Sequence, residues 1–268
     1  MKSPLRKRLP RELKSEFGKY LVVFIMMAIT IGFVSGFLVA DGSMLRAYDD
    51  SFQKYNIEDG YFQTKKKLTP AQKEDIEKSD VKVYENFYIE QKLTNGSTIR
   101  FFKKRKEVDK VCLMNGKMPK KSGEIAVDRM YADNNELKVG DTVKSRKKTF
   151  RITGLVALSD YSALFQNNND TMFDAVKFGV AIVTDKDFEA LNQVKVQYNY
   201  AWIYDKKPAT EKKEKKMAED LMEDMADVVT IESFVPQYQN QSIHFTGDDM
   251  GSDRAMIVML LYIVMAIL

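Results

Sequence analysis

Two residue types that most often carry chemistry occur once each among these 268 residues, Cys112 and His244. A zinc or transition-metal centre needs several converging Cys, His or carboxylate ligands, and one of each leaves no His/Cys site. A nucleophilic triad has no support either, because no Gly-x-Ser-x-Gly elbow occurs. No G-x-x-x-x-G-K-[ST] run occurs, which excludes nucleotide binding through a P-loop. The acid pairs Asp49/Asp50 and Asp248/Asp249 are neighbours in sequence, so on a helix or strand their carboxylates point apart and do not flank a substrate. "GDDMGSD", residues 247–253, lacks the spacing of a calcium loop and reads as solvated linker. "QNNNDTMFD", residues 166–174, could offer oxygen ligands, but runs of Asn and Asp favour loops. Trp202 and the tyrosines of "YNYAWIY" could line a binding surface; an aromatic strand in a core is the default. Cys112 reads as a small apolar packing residue, and as the one cysteine it cannot form an intramolecular disulfide. The sequence therefore predicts no catalytic residue, no metal site and no cofactor.

The charge distribution directs attention to the ends. Seven bases stand against two acids in residues 1–20, while the whole chain has 42 bases against 38 acids. The basicity is an N-terminal arm and not a property of the folded body, which argues against a nucleic-acid partner. Directly after it, "YLVVFIMMAITIGFVSGFLVA", residues 20–40, carries no charge. At about 1.5 Å per residue this stretch matches a hydrocarbon core of roughly 30 Å. A cleaved signal peptide would have a shorter apolar region and a small-residue cleavage site, and Leu38-Val39-Ala40 is a poor one. The basic flank places the N-terminus in the cytoplasm, with the chain from about residue 41 outside the plasma membrane. Leu9, Leu13, Phe17 and Tyr20, with Pro10 at a first helical position, predict an amphipathic segment over residues 1–19 lying on the cytoplasmic membrane lipid. Within the span, Ala28, Gly32, Gly36 and Ala40 recur every four residues, a stripe that would let a partner helix approach closely.

Residues 41–254 carry mixed patterns. Thr69-Pro70-Ala71-Gln72 is a capping box that opens a helix to about Lys78. "VKVYENFYIEQKL" reads as one strand, turning at Asn95-Gly96 into "IRFFKK". "GEIAVDRMYADNNEL" reads as strand then helix, "VGDTVKSRKKTFRITGLVAL" as two strands joined by the basic turn 145–148, and "FGVAIVT" as a buried strand. "DKDFEALN" opens a helix capped by Asp185, "YNYAWIYD" is a strand, residues 209–227 form a charged amphipathic helix, and "VVTIESFV" is a strand. Pro236 then begins a polar connector to the apolar run 255–268. Irregular alternation with hairpins predicts an α+β extracytoplasmic domain, possibly of two subdomains, between two transmembrane helices. The last fourteen residues, apolar on every face, read as the start of a second span cut short.

One segment carries a family resemblance. In residues 114–161, Gly116 and Pro119 precede Gly123, Glu124 and Ile125; Val139, Gly140 and Asp141 follow, and a strand ends at Gly154-Leu155. This order resembles the MacB-like core domain of FtsX-like ABC transporter permeases, and the layout of span, outer domain and second span is similar. These are turn and strand-start residues, a scaffold without chemistry. The resemblance implies a permease subunit without ATP hydrolysis of its own. It further implies a separate cytoplasmic ATPase, a second permease copy or half, and an extracellular peptide, lipid or protein ligand. The competing expectation is a membrane-anchored extracellular sensor or binding module without transport.

Overall fold

The computed structural model describes residues 11–145, 148–191 and 196–267, with side-chain burial up to Ile263. The first ten residues of the expected amphipathic segment, residues 146–147 of the expected basic turn and residues 192–195 lie outside them. The chain divides into two compact units, residues 1–47 with 249–268, and residues 48–248.

The first unit is helical. Helix α1 runs from Phe17 to Tyr55, 39 residues and therefore about 58 Å long, so it continues beyond the uncharged stretch 20–40. It is the one described helix long and apolar enough to cross a membrane. Its covered positions include Met27, Thr30, Val34, Leu38, Asp41 and Leu45, spaced by three or four residues along one side. Asp41, directly after the uncharged stretch 20–40, is buried, and its Oδ2 has no hydrogen-bond partner among the described residues. Helix α6, Gln241–Ile267, begins fourteen residues before the expected apolar run. The stretch expected as a polar connector is thus a helical turn, Gln237–Gln239, and then helix. In α6, Ile257, Val258 and Leu261 are half-covered.

The second unit is α+β. Strands β1 (Gly60–Thr64), β2 (Val81–Glu85), β10 (Tyr198–Tyr204) and β11 (Ile231–Pro236) form an antiparallel sheet in the order β11-β1-β10-β2. Helices α2 (Pro70–Glu77) and α5 (Glu211–Val228) pack against this sheet. Ile76 of α2 and Leu221 and Met225 of α5 share a core with Phe62, Tyr200 and Trp202. Between β2 and β10 the chain builds a second, mixed sheet from β3 (Tyr88–Lys92), β4 (Thr98–Phe102), β5 (Cys112–Gly116), β6 (Glu124–Asp128), β7 (Thr142–Lys144), β8 (Thr149–Ala157) and β9 (Phe178–Val183). Their order is β3-β4-β9-β6-β8-β5, with β7 on β8. Helices α3 (Arg129–Asn134) and α4 (Asp185–Leu191) contribute Tyr131, Phe188 and Leu191 to its core.

Local signals put these elements in place. Thr69 and Gln72 complete the capping box with Pro70 in the first turn, and Gly96 takes φ +89° in the turn between β3 and β4. Two expectations need correction. "VKVYENFYIEQKL" is two strands in different sheets, broken at Asn86, whose N–H donates to Asn199 O and whose side chain donates to Asp109. The cap of α4 is Thr184, whose Oγ1 accepts from Asp187 N, while Asp185 already lies in the helix.

Candidate functional site

The end of α1 is tightly determined. Asn56 adopts φ +51°, Asn56 N donates to Gln53 O and Ile57 N donates to Phe52 O, the paired bonds of a Schellman cap. The last carbonyls of the helix are also met from outside it: Asp109 N donates to Asn56 O at 3.0 Å and Lys110 N to Tyr55 O at 2.8 Å. The loop between β4 and β5 therefore closes the helix end, and Asp109 itself sits at φ +48° to do so. Three residues past the helix, Glu58 N donates to Asp109 Oδ1 at 2.9 Å, and Asn86 Nδ2 donates to Asp109 Oδ2 at 3.0 Å.

The start of α6 reaches the same point. Asn240 precedes that helix and caps it, its Oδ1 accepting from Ser242 N and its carbonyl from His244 N. Its Nδ2 donates to Glu58 Oε1 at 3.4 Å, and Gln237 N donates to Asp59 O. One side chain thus caps the returning helix and binds the chain leaving the first helix. Ser162 Oγ donates to the carbonyls of Ser242 and Ile243, and Tyr48 Oη donates to Ile243 O at 2.7 Å.

Beneath this junction lies a closed set of charges. Arg105 Nη1 donates to Asp160 Oδ2 at 2.6 Å, with both side chains about 95% buried, and the guanidinium lies over the Phe102 ring. Burial, then the charges of Asp109 and Asp160, raise Glu58 well above the usual carboxyl range. Burial and then Asp160 push Asp109 up to about 7. Burial also raises Asp160, opposed by the Arg105 guanidinium. Three carboxyls facing one guanidinium cannot all be ionised in a dry site. Burial therefore favours the neutral form at all three carboxyls, and the Arg105 guanidinium opposes it.

Alongside, residues of both sheets enclose a cavity of about 380 Å³. Tyr61 and Gln63 come from β1, Asn199 from β10, Tyr88 from β3, Arg100 from β4, and Asn167–Asn169 from the loop after β8. Arg100 is fully engaged. Its Nε binds Glu90 Oε1 at 2.9 Å, its Nη1 binds Tyr161 Oη at 2.6 Å and its Nη2 binds Gln166 O at 2.8 Å, over the Tyr88 ring. Gln63 Nε2 donates to Tyr88 Oη and Asn199 Oδ1. Among the described residues no group of three or more His, Cys, Asp and Glu is placed to hold a metal ion.

The scaffold motif lies elsewhere, around the β5–β8 edge. Gly116 takes φ +77°, and a Cβ there would stand 2.3 Å from Thr153 O; one at Gly154 would stand 2.6 Å from Lys117 O. Gly123 N donates to the buried Asp187, and Glu124 accepts from the N–H groups of Lys120 and Lys121, which follow Pro119 and lead into the turn at Ser122–Gly123. Gly140 N donates to Ile152 O, Asp141 accepts from Lys138 N, and Val139 is exposed. The Ala28, Gly32, Gly36 and Ala40 stripe is exposed within the chain, and a Cβ at either glycine meets nothing within 4 Å. Cys112 is a free, half-buried thiol on β5. No spacing in the sequence marks Glu58, Arg105, Asp109 and Asp160; topology alone assembles them.

No family model matches the chain, and no curated protein does. Among solved structures it is similar to the extracellular domain of a noncanonic ABC-type transporter, YknZ, from Gram-positive bacteria, at 12% identity and a TM-score of 0.33, over 65% of this chain and 98% of that one. It is also similar to the periplasmic region of MacB from Actinobacillus actinomycetemcomitans, at 14% identity and a TM-score of 0.33, over 65% and 87%. Likeness at this level fixes no function.

Proposed function

We propose that this chain is the membrane subunit of an ABC transporter, a permease whose extracytoplasmic domain moves with its helices while a separate cytoplasmic subunit hydrolyses ATP. The observation that carries this reading is the shared root of the two long helices. Asn240 caps α6 and hydrogen-bonds Glu58, three residues beyond α1, over a separation of 182 residues. A domain that only displayed a ligand at the surface would need one connection to a helix, whereas a domain that relays motion needs its two connecting segments joined to each other, as these are within residues 48–248. The ordered scaffold residues Gly116 to Gly154 and the span-domain-helix layout support the same family, FtsX-like with a MacB-like domain. The basic arm of residues 1–20 supports a cytoplasmic N-terminus and an outer domain in a bacterial plasma membrane. The exposed Ala28–Gly32–Gly36–Ala40 stripe is free within the chain and suits a second permease copy or half.

Affinity purification of the protein from its host membranes in mild detergent tests this reading. A stoichiometric ATP-hydrolysing subunit in the purified complex is the expected result. Purification of the chain without any ATPase, under conditions that keep other ABC transporters intact, would overturn it in favour of an anchored sensor.

A further inference from the structure

The cavity between the two sheets has walls of unusual chemistry. Carboxamides dominate them: Gln63, Asn86, Asn199 and Asn240 on the inner side, with Asn167 and Asn169 at the mouth. Its one cation is already engaged, since Arg100 is spent on Glu90, Tyr161 and a backbone carbonyl. Asp160 Oδ2 is taken by Arg105, whereas Asp160 Oδ1, Glu58 Oε2 and Asn86 Oδ1 are buried without a partner among the described residues. The cavity therefore offers no free cation for an anionic ligand, and its wall presents unpartnered oxygens to a hydroxyl donor.

A carboxamide presents a donor and an acceptor side by side. That pairing matches the adjacent hydroxyls of a polyol, each of which also gives and accepts. Tyr61, Tyr88, Phe165 and Phe234 add aromatic surface to the same walls, and such faces suit the C–H side of a sugar ring. The Asn169 side chain makes no hydrogen bond among the described residues, and Gln63 uses only its Nε2, so both have capacity left for a ligand. We propose that this cavity binds a small uncharged polyhydroxylated ligand, a mono- or disaccharide unit, with Asn169 and Gln63 as hydrogen-bonding residues. A volume of about 380 Å³ lies at the lower end of small-molecule sites, enough for roughly one or two sugar rings. The loop "QNNN", residues 166–169, then supplies recognition in place of metal ligation. The inference stands apart from the permease reading, because an anchored sensor would use the cavity in the same way.

Calorimetric titration of the full chain in lipid nanodiscs tests it; maltoside and glucoside detergents are avoided because their head groups carry the ligand chemistry. N-acetylglucosamine, its β1,4-linked disaccharide and maltose are the probes, with glycylglycine as a peptide control. At least one saccharide is expected to bind with Kd of roughly 0.1–10 mM, the weak end of the affinity range. Asn169→Ala is expected to weaken that binding about three- to tenfold, the share of one neutral hydrogen bond. Asn169→Trp, which fills the mouth from an exposed loop, should abolish it. Trp202 fluorescence reports that each variant is folded. The proposal is overturned if no saccharide binds the folded chain at 20 mM, if glycylglycine binds and the sugars do not, or if Asn169→Trp binds as well as the parent.

Discussion

Replacing Arg105 by Met removes the guanidinium that is bonded to Asp160 and also acts on Glu58 and Asp109, and leaves most of the side-chain stem to pack on Phe102. Arg105 and Asp160 are both about 95% buried and bonded at 2.6 Å. Breaking such a pair by deleting one partner costs about 3–5 kcal/mol, because the remaining charge stays buried and uncompensated. In a unit of some 200 residues each kcal/mol moves Tm by about 2–4 °C, so the variant should melt roughly 6–20 °C lower at pH 8. The pH dependence gives the sharper test. Without Arg105 the folded-state pKa of Asp160 rises further above its unfolded value. Stability held by a raised carboxyl is full below the unfolded pKa and is lost as pH rises through the folded one. The penalty should therefore shrink between pH 8 and pH 5. Thermal and urea unfolding followed at Trp202, the single and fully buried tryptophan, measures it. Adding Asp160→Asn should restore part of the loss, a coupling of about 2 kcal/mol or more. A loss under 1 kcal/mol, or a penalty that grows on acidification, would refute the view that these groups share a dry, proton-holding site.

Other outcomes follow from single contacts. In the parent chain, Asp109 is raised to about 7, so its contribution should decline as pH rises from 5 to 8; a urea series that instead shows rising stability over that window would contradict the assignment. Burial pushes Asp187 up, but bonds from Lys148, Ser122, Gly123 and Thr184 hold it below the usual range, so its contribution is present above the unfolded value and is lost only in acid. Gly96→Ala should cost about 1–2 kcal/mol for its positive φ in open space, whereas Gly116→Ala adds a 2.3 Å clash with Thr153 O and should cost clearly more in the same unfolding assay. Thr69→Ala deletes the capping box of α2 and should cost about 0.5–2 kcal/mol. Gly32→Leu meets nothing in the chain and should leave unfolding within about 0.5 kcal/mol, while weakening assembly with a partner helix on a native gel.

What the sequence disclosed was local. Thr69, Pro70 and Gln72 lie within four residues and specify their cap by themselves, and Asn95-Gly96 specifies its turn in the same way. The apolar stretch 20–40 was equally plain, because its composition is uniform. The end of α1 was not: nothing in Asp41 to Tyr55 marks a single helix that runs on from the apolar stretch to the cap at Asn56. The break at Asn86 could not be seen either. Val81 to Leu93 alternates like a single strand, and only Asn199 and Asp109, far along the chain, divide it between two sheets. The junction is the extreme case. Glu58 meets Asp109 across 51 residues, Arg105 meets Asp160 across 55, and Asn240 meets Glu58 across 182. No periodicity carries information over those distances. The carboxamides of the cavity wall are dispersed for the same reason, and only "QNNN" stood out as a run.

The proposed function rests on the placement of residues 48–248 outside the cell, with α1 crossing the membrane. Thiol labelling of intact cells with a membrane-impermeant maleimide measures it directly. In a Cys112→Ala background, Lys120→Cys puts a thiol on the exposed turn before β6, and Ser15→Cys puts one on the N-terminal side of the span. Lys120→Cys is expected to be labelled on intact cells, and Ser15→Cys only after permeabilisation. Labelling of Ser15→Cys on intact cells, with Lys120→Cys protected, would contradict it.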